Sequence, residues 1–407
     1  MGKKVVILGG GVIGLFSAYY AAKAGHSVTV LDRQNVGKSS LGNAGMIVPS
    51  HVIPLAAPGM ISQGVRWMFN NKSPFYVKPR LRADLITWGW RFYRSANQNH
   101  VDNSTEALRD ISLLSKKLYQ ELAQLSNDFE YDEKGLLMLY QSEKVGFEEQ
   151  NAAKVAMDLG LEVEILNRQD LDALAYGAET NAIGGVWYKS DAHLQPNKLM
   201  AFLRSQLDSM DVEVIQIPKC RAIETSKGKI DQLVTDSDAY KADEFVVAAG
   251  AWSSEIAKLA DDTLQLLPGK GYSFTLPKME NFPTIPTILC EGKVAVSPFN
   301  DQIRFGGTME ITHLKDQKIN RNRVQGIVNT VNDFYPQMNL KIPDSEDIWM
   351  GYRPCSPTGL PYIKRSSKCS NLIYATGHGM MGLSLGPATG YHVERIISEE
   401  IATFQAH

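Results

Sequence analysis

The chain has little cysteine, almost no net charge and no long apolar run. Among 407 residues only Cys220, Cys290, Cys355 and Cys369 carry a thiol. They form no CxxC pair and do not cluster with the eight histidines, which argues against a zinc site or a disulfide framework and fits a reducing, cytoplasmic setting. With 42 basic and 44 acidic residues the formal charge is -2, so nucleic acid is not expected as the partner. No stretch approaches the ~18 uninterrupted apolar residues of a spanning helix. The opening strand is apolar only from Val5 to Leu8 and runs straight into glycines, unlike a signal peptide, so folding is expected to begin at the first residues. Low-complexity runs and internal repeats are also missing. What remains is an ordinary globular composition, 44% hydrophobic and 21% charged, at a length that suits two domains.

The strongest local signal lies at the start. Val5-Val6-Ile7-Leu8 reads as a parallel strand covered on both faces, followed by Gly9-Gly10-Gly11-Val12-Ile13-Gly14, a helix-forming stretch to Ala24, Gly25 as its stop, and a second strand, Val28 to Leu31, ending at Asp32. In such a strand-turn-helix-strand unit Gly9 makes the tight turn. Gly11 lets the backbone approach a pyrophosphate, and Gly14 allows close helix–strand packing. Val12 and Ile13 open the helix whose unpaired N–H groups face the diphosphate, and Asp32 is placed to accept from ribose hydroxyls. A carboxylate there would repel a 2′-phosphate, which disfavours NADP. The motif alone leaves FAD and NAD open.

The following residues separate them. Asp32-Arg33-Gln34, Ser39-Ser40-Leu41-Gly42-Asn43-Ala44-Gly45-Met46 and Ala56-Ala57-Pro58-Gly59 resemble the start of bacterial D-amino-acid dehydrogenases, in the FAD-dependent D-amino-acid dehydrogenase and glycine oxidase family. The resemblance recurs at Lys270-Gly271-Tyr272-Ser273, Ile303-Arg304-Phe305-Gly306-Gly307, Gly351-Tyr352-Arg353-Pro354 and Gly377-His378-Gly379-Met380-Met381-Gly382, and so spans nearly the whole chain. It implies that Arg33, Ser39 and Ser40 help hold the adenosine and diphosphate, that Ala44, Gly45 and Met46 line the flavin ring, and that the backbone at Cys220 contacts the adenine side. Gly250 and Trp252 would lie beside the cofactor. The segment Gly377 to Gly382, continuing through Leu383 and Ser384 into a helix, would bring a second helix N-terminus to the reduced flavin's negative charge.

On the substrate side the resemblance makes Arg353 a carboxylate clamp, a task suited to a planar guanidinium that gives two parallel hydrogen bonds. Pro354 is expected to end the strand begun at Ile348. Where glycine oxidase-like relatives carry a second arginine this chain has Met380, implying a more apolar pocket. Where sarcosine oxidase-like relatives tether flavin through cysteine it has Gly351, implying noncovalent FAD. Tyr272 is a candidate pocket residue. His378 and His193 are not expected to act as bases, His193 serving helix entry near Asn197, and no residue is assigned as a catalytic acid or base. The implied activity is oxidative deamination of a small amino acid with electrons passed to a quinone or other acceptor. D-hydroxyproline or D-proline dehydrogenase, an oxygen-using glycine or D-amino-acid oxidase, and a flavin-binding relay subunit stand as alternatives.

The expected fold is α/β, with a Rossmann-like FAD-binding domain from residues 1–50, 190–260 and 345–407. A second, α+β substrate domain on a mixed or antiparallel sheet takes 51–189 and 261–344. It would include an amphipathic helix near 104–126 with Leu108, Ile111, Leu114, Leu118, Leu122 and Leu125 on one stripe. Residues 66–94 mix Arg66, Lys72, Lys78, Arg80, Arg82, Arg91 and Arg94 with eight aromatics against the single acid Asp84, a pattern suited to peripheral contact with anionic lipid on the inner face of the cell membrane.

Overall fold

A computed structural model describes residues 2–33, 38–58, 74–78, 82–174 and 176–401. Gln34, Gly59, Arg66, Trp67, Phe69, Lys72 and Arg80, all used in the sequence reading, lie outside them.

The expected N-terminal unit forms as strand Lys4–Leu8, helix Val12–Lys23 and strand Ser27–Asp32. Strands Lys4–Leu8 and Ser27–Asp32 belong to a six-stranded sheet, which runs in order Tyr362–Arg365, Leu372–Thr376, Glu244–Val247, Lys4–Leu8, Ser27–Asp32 and Glu213–Gln216. Every pairing is parallel except that of the edge strand Tyr362–Arg365. Parallel strands need cover on both faces, which explains why Val5, Val6, Ile7, Val246 and Ile373 are all buried. Helix Gly386–Ile397 packs on Val12–Lys23, and Gly390 makes that approach possible: a Cβ there would sit 2.5 Å from the backbone of Phe16. On the other face lies a small antiparallel sheet of Cys220–Ser226, Lys229–Thr235 and Ala239–Tyr240.

The second sheet is mixed and has nine strands. Its main path is Trp349–Cys355, Leu267–Pro277, Gln302–Ile311, Val294–Pro298, Thr287–Leu289, Leu136–Tyr140, Gly184–Tyr188 and Val163–Asn167, with Phe75–Val77 joined to Gln302–Ile311. Helix Arg321–Phe334 covers one face through Val324, Ile327, Val328 and Val331. Two expectations are corrected here. Strand Trp349–Cys355 falls in the stretch assigned by sequence to the nucleotide-binding part, yet it hydrogen-bonds along its length to Leu267–Pro277 in the large sheet. Pro354 does not end it: this is an edge strand, where a missing N–H costs no ladder bond, and Pro354 pairs with Pro268 inside the strand.

The amphipathic helix spans Gln98–Leu125, starting earlier than its apolar stripe because the Asn97 side chain accepts from the His100 N–H and caps it. Leu108, Ile111, Leu118 and Leu122 are buried as expected, but Leu125, at the last turn, is 66% exposed. All four cysteines are free and buried.

Candidate active site

A cleft of ≈ 2340 Å³ runs between the two sheets, well above the ~300–1,000 Å³ of a pocket for one drug-sized ligand. Its first stretch is built by the N-terminal unit. Leu8 to Ile13 line it, with Asp32, Arg33, Lys38, Ser39 and Ser40 beside them and Lys219, Cys220 and Arg221 opposite. Gly14 does not line it. A Cβ on Gly14 would lie 1.8 Å from the Gly9 carbonyl oxygen, so its hydrogen is what lets the helix sit against the turn. Gly11 differs: its missing Cβ would meet only the Ser40 Oγ, at 3.5 Å, and otherwise face the cleft. Ser40 Oγ also accepts from the Val12 N–H at 3.1 Å. Cys220 has its thiol pushed up to about 11 by burial, so it is a packed, unreactive sulfur.

The middle of the cleft is formed by Ala248 to Trp252, where Gly250 has φ +53° and nothing within 4 Å of its would-be Cβ. Thr376, His378 and Gly379 to Ser384 close the far side, next to Ala44 and Met46. Gly377 and Gly45 are near but do not line it. A Cβ on Gly45 would strike the Leu194 carbonyl oxygen at 2.1 Å, and one on Gly377 the Tyr362 ring at 3.0 Å, so both serve the packing of their turns. His378 is buried, its Nε2 2.9 Å from the Thr389 Oγ1, and burial pushes its imidazole down to about 3. A neutral, fixed ring of that kind is no general base near neutral pH. His193 is buried in a two-stranded pairing with Met46 and does not line the cleft; the helix it precedes begins at Pro196.

The floor is a single cross-strand row of the large sheet: Trp349, Ser273, Gly306, Ala295, Ile288 and Met138 are directly paired in that order, and all six line the cleft. At ~4.8 Å per strand the row is roughly 24 Å long. Its centre, Ser273, Gly306 and Ala295, is small, which leaves height for a flat ring and a ligand above it. Arg353 rises beside this floor. Its Nη1 donates to the Thr308 carbonyl at 2.7 Å, and the guanidinium covers Gly271, where a Cβ would lie 2.2 Å from Nη1. Burial lowers its basicity. Tyr272 is 1% exposed and lines the cleft, its hydroxyl accepting from the Asn320 N–H at 3.1 Å. Met380, 53% exposed, sits at the rim.

Three residues hold the two sheets together at this point, and sequence reasoning gave none of them that role. Ser273 Oγ donates to the Gly42 carbonyl at 2.8 Å, Arg304 Nη1 donates to the carbonyls of Leu41 and Asn43 at 2.8 and 2.7 Å, and Trp349 Nε1 donates to the Lys38 carbonyl at 3.1 Å. They fix the segment 38–46, which opens with the short helix Lys38–Leu41, against the floor. Lys270, beside Tyr272 in sequence, lies under the opposite wall. Its ammonium, 2% exposed, is 3.2 Å from Asp316 and 3.9 Å from Glu310, and donates to the carbonyls of Asp316 and Lys318. It thereby pins the 312–319 loop, whose Leu314, Lys315, Gln317 and Ile319 line the cleft. Tyr352 donates to the same Asp316 carbonyl at 2.6 Å. Ser273, Arg304 and Lys270 stood in quoted motifs, but their targets are loops remote in sequence.

An elongated cofactor with a diphosphate and a flat ring fits this cleft. Gly11 would leave a diphosphate its space, Asp32 lines the same stretch and would meet a ribose, and the small floor residues would leave room for a flat ring.

The chain matches, over residues 4–396, the family described as FAD dependent oxidoreductase. It is 30% identical over 405 residues to a D-amino acid dehydrogenase of Vibrio atlanticus (strain LGP32), covering 97% of this chain and 96% of that protein, and 29% identical over 392 residues to one of Helicobacter pylori, covering 96% and 93%. Among solved structures it resembles glycine oxidase from Bacillus cereus ATCC 14579 with a TM-score of 0.77 at 18% identity, covering 99% and 98%. It also resembles L-proline dehydrogenase from P. horikoshii at 0.74 and 17%, covering 98% and 94%. At such identities these two speak to the fold.

Proposed function

The chain belongs to the FAD dependent oxidoreductase family, and from that premise we propose that it oxidises the α-carbon of a small D-amino acid and passes the electrons to a quinone or comparable acceptor. It is an FAD-dependent oxidoreductase of the amino-acid dehydrogenase and oxidase type. The observation that carries the finer reading is Arg353, a guanidinium that lines the cleft over Gly271 and is held by one carbonyl, where a relay subunit has no use for it.

Flavin bound here would supply the hydride acceptor for the α-carbon. The rest is the work of the protein. Arg353 binds the carboxylate and orients the α-carbon; Tyr272, fixed by Asn320, and the 312–319 loop limit where the ligand can lie. Residues 9–13, 32–33, 39–40, 220 and 250–252 would hold the adenosine and diphosphate, and Ala44, Met46 and 378–384 would hold the ring end, with Gly14, Gly45 and Gly377 shaping the turns behind them. Cys355 is buried beside Met309, its thiol pushed up to about 12 by burial, and does not line the cleft, which supports noncovalent FAD. The two sheets flanking the cleft support a division into two domains, one on each sheet. The test is anaerobic mixing of the FAD-loaded protein with D- and L-amino acids, glycine, sarcosine and hydroxyproline. Bleaching of the flavin by D-amino acids is expected. Bleaching only by L-amino acids, by hydroxyproline or by none would refute this reading.

Helix Ala83–Ser95 supports a peripheral contact with anionic lipid: Trp88 is buried beneath it, while Ile86, Trp90 and Tyr93 are 63%, 61% and 59% exposed in an i, i+4, i+7 ridge flanked by Arg82, Arg91 and Arg94. Among the described residues no helix is long and apolar enough to cross a membrane.

A further inference from the structure

Toward the Ile288–Met138 end of the floor, where Val48 and Val52 on either side of His51 in sequence pack with Met138 and Ile288, stands a hydrogen-bonded chain of three side chains that the proposed reaction does not use. His51 forms part of the cleft wall. Its Nδ1 is 3.2 Å from the Ser50 Oγ, and Ser50 Oγ is 2.5 Å from Asp191 Oδ2. The other oxygen, Asp191 Oδ1, accepts the Ser50 backbone N–H at 3.0 Å. Asp191 is fully buried and Ser50 is 9% exposed. His51 Nε2 has no hydrogen-bond partner among the described residues.

We propose that His51 is a hydrogen-bonding subsite for the polar end of the amino acid's side chain, and that Asp191 sets, through Ser50, whether its cleft-facing nitrogen accepts or donates. The proposal rests on the amino-acid substrate argued above. The logic is one of satisfied donors. An ionised Asp191 can only accept, so Ser50 must give it the hydroxyl proton. Ser50 Oγ is then left to accept, and His51 must supply a proton from Nδ1. A neutral imidazole has only one, so Nε2 is bare and accepts from a ligand. Protonate Asp191 and every donor in the chain turns round: the acid donates to Ser50, Ser50 donates to Nδ1, and Nε2–H becomes a donor.

The spacing suits a small amino acid whose polar group lies two or three carbons from the α-carbon. The Arg353 guanidinium bonds Thr308 on strand Gln302–Ile311; Ile288 and Met138 lie two and three strands away, roughly 10–14 Å at ~4.8 Å per strand. The electrostatics agree with the chain. Burial pushes His51 down to about 4, with Glu149 raising and Lys293 lowering it, and these two are themselves ion-paired at 2.8 Å. The imidazole is therefore neutral through the working range. Burial pushes Asp191 up to about 7 against its hydrogen bonds from Ser50 and the distant Lys116; Tyr188 and Cys290, also close by, are protonated there. The chain should thus reverse near neutral pH, Nε2 accepting above it and donating below.

Asn at position 191 gives a fixed answer. Its Oδ1 keeps the Ser50 N–H, which leaves the amide N–H to face Ser50 Oγ, so Asp191→Asn locks Nε2 as a donor. The test compares kcat/KM of the FAD-loaded enzyme for 5-hydroxynorvaline and homoserine with that for their O-methyl ethers, which accept but cannot donate. For the wild type at pH 9 the alcohol should be preferred at least ~10-fold, the scale of one hydrogen bond, and the preference should vanish at pH 5.5. Asp191→Asn should lack it at both, and so should His51→Leu. Equal discrimination in all three proteins, or none in the wild type at pH 9, overturns the subsite. A second readout needs no turnover. Histidine-selective ¹⁵N NMR, with His51 assigned by its loss in His51→Leu, should place the ring proton on Nδ1 in the wild type at pH 9 and on Nε2 in Asp191→Asn. The same nitrogen protonated in both overturns the relay. If no amino acid reduces the wild-type flavin, the substrate reading fails and the spectra alone decide the relay.

Discussion

At the scale of single residues, charge placement separates ligand contacts from scaffold. Arg353 and Arg304 are both guanidiniums within a strand, and burial lowers both, Arg304 to about 10. Arg304 spends its donors on Thr275 and on the carbonyls of Leu41 and Asn43, whereas the one bond from Arg353 to a described residue goes to Thr308. Arg353 also lines the cleft, where its remaining donors can meet a ligand carboxylate, whereas Arg304 does not line it. Arg353→Met should leave FAD bound but slow flavin reduction by the amino acid at least ~10²-fold, from loss of a clamp of ~2–4 kcal/mol. Rapid-mixing absorbance of the bound flavin measures this, and reduction at the wild-type rate would remove Arg353 from the site. The sequence showed which residue types were present and in which motif. It could not show that Gly45 and Gly377 turn away from the cleft while Gly11 and Gly250 face it, because the direction of a missing Cβ is fixed by the surrounding backbone.

At the scale of elements, the wall of the cleft depends on a buried cation. Lys270 lies inside a strand with its ammonium surrounded by Asp316, Glu310 and two loop carbonyls. Burial alone would raise the Asp316 carboxyl, but hydrogen bonds from Lys78, Thr312 and Lys270 outweigh it and hold the group below the usual carboxylate range. That depressed value stabilises the fold above the unfolded pKa of about 4, and the contribution is lost as pH falls toward the folded one. Lys270→Met leaves Glu310 buried without its cation and Asp316 with Lys78 alone, and loosens the 312–319 loop. A stability loss of about 3 kcal/mol is expected, together with a raised KM for the amino acid and retained FAD. Thermal melting and steady-state kinetics give both quantities, and Lys270→Arg should recover part of each. A wild-type KM in a destabilised Lys270→Met would make the lysine purely structural.

At the scale of the whole molecule, the exposed ridge of Ile86, Trp90 and Tyr93 lies on a helix anchored by Trp88, whose Nε1 donates to the Cys355 carbonyl at 2.9 Å, two residues from Arg353. The surface that would meet lipid is thus tied to the strand that carries the clamp. Neutralising Arg82, Arg91 and Arg94 together should weaken binding to anionic vesicles, at ~1 kcal/mol per cation, while leaving activity with a soluble dye intact. Reoxidation of the reduced enzyme should be faster with a ubiquinone analogue than with air-saturated buffer. Faster reaction with oxygen and no vesicle binding would identify an oxidase with an ordinary packed helix. By itself the sequence determined the N-terminal βαβ unit, the glycine turns and the two kinds of sheet, because those follow from short-range rules: strand and helix periodicity, turn chemistry and the spacing of Gly9, Gly11, Gly14 and Asp32. The tertiary structure alone decided that Trp349–Cys355 joins the large sheet, that Ser273, Arg304 and Lys270 hold distant loops, and that His51, Ser50 and Asp191 form one hydrogen-bonded chain. Each of these depends on a pairing between segments far apart in sequence, and the free energy that selects such a pairing comes from burying both partners together, which neither segment reveals alone.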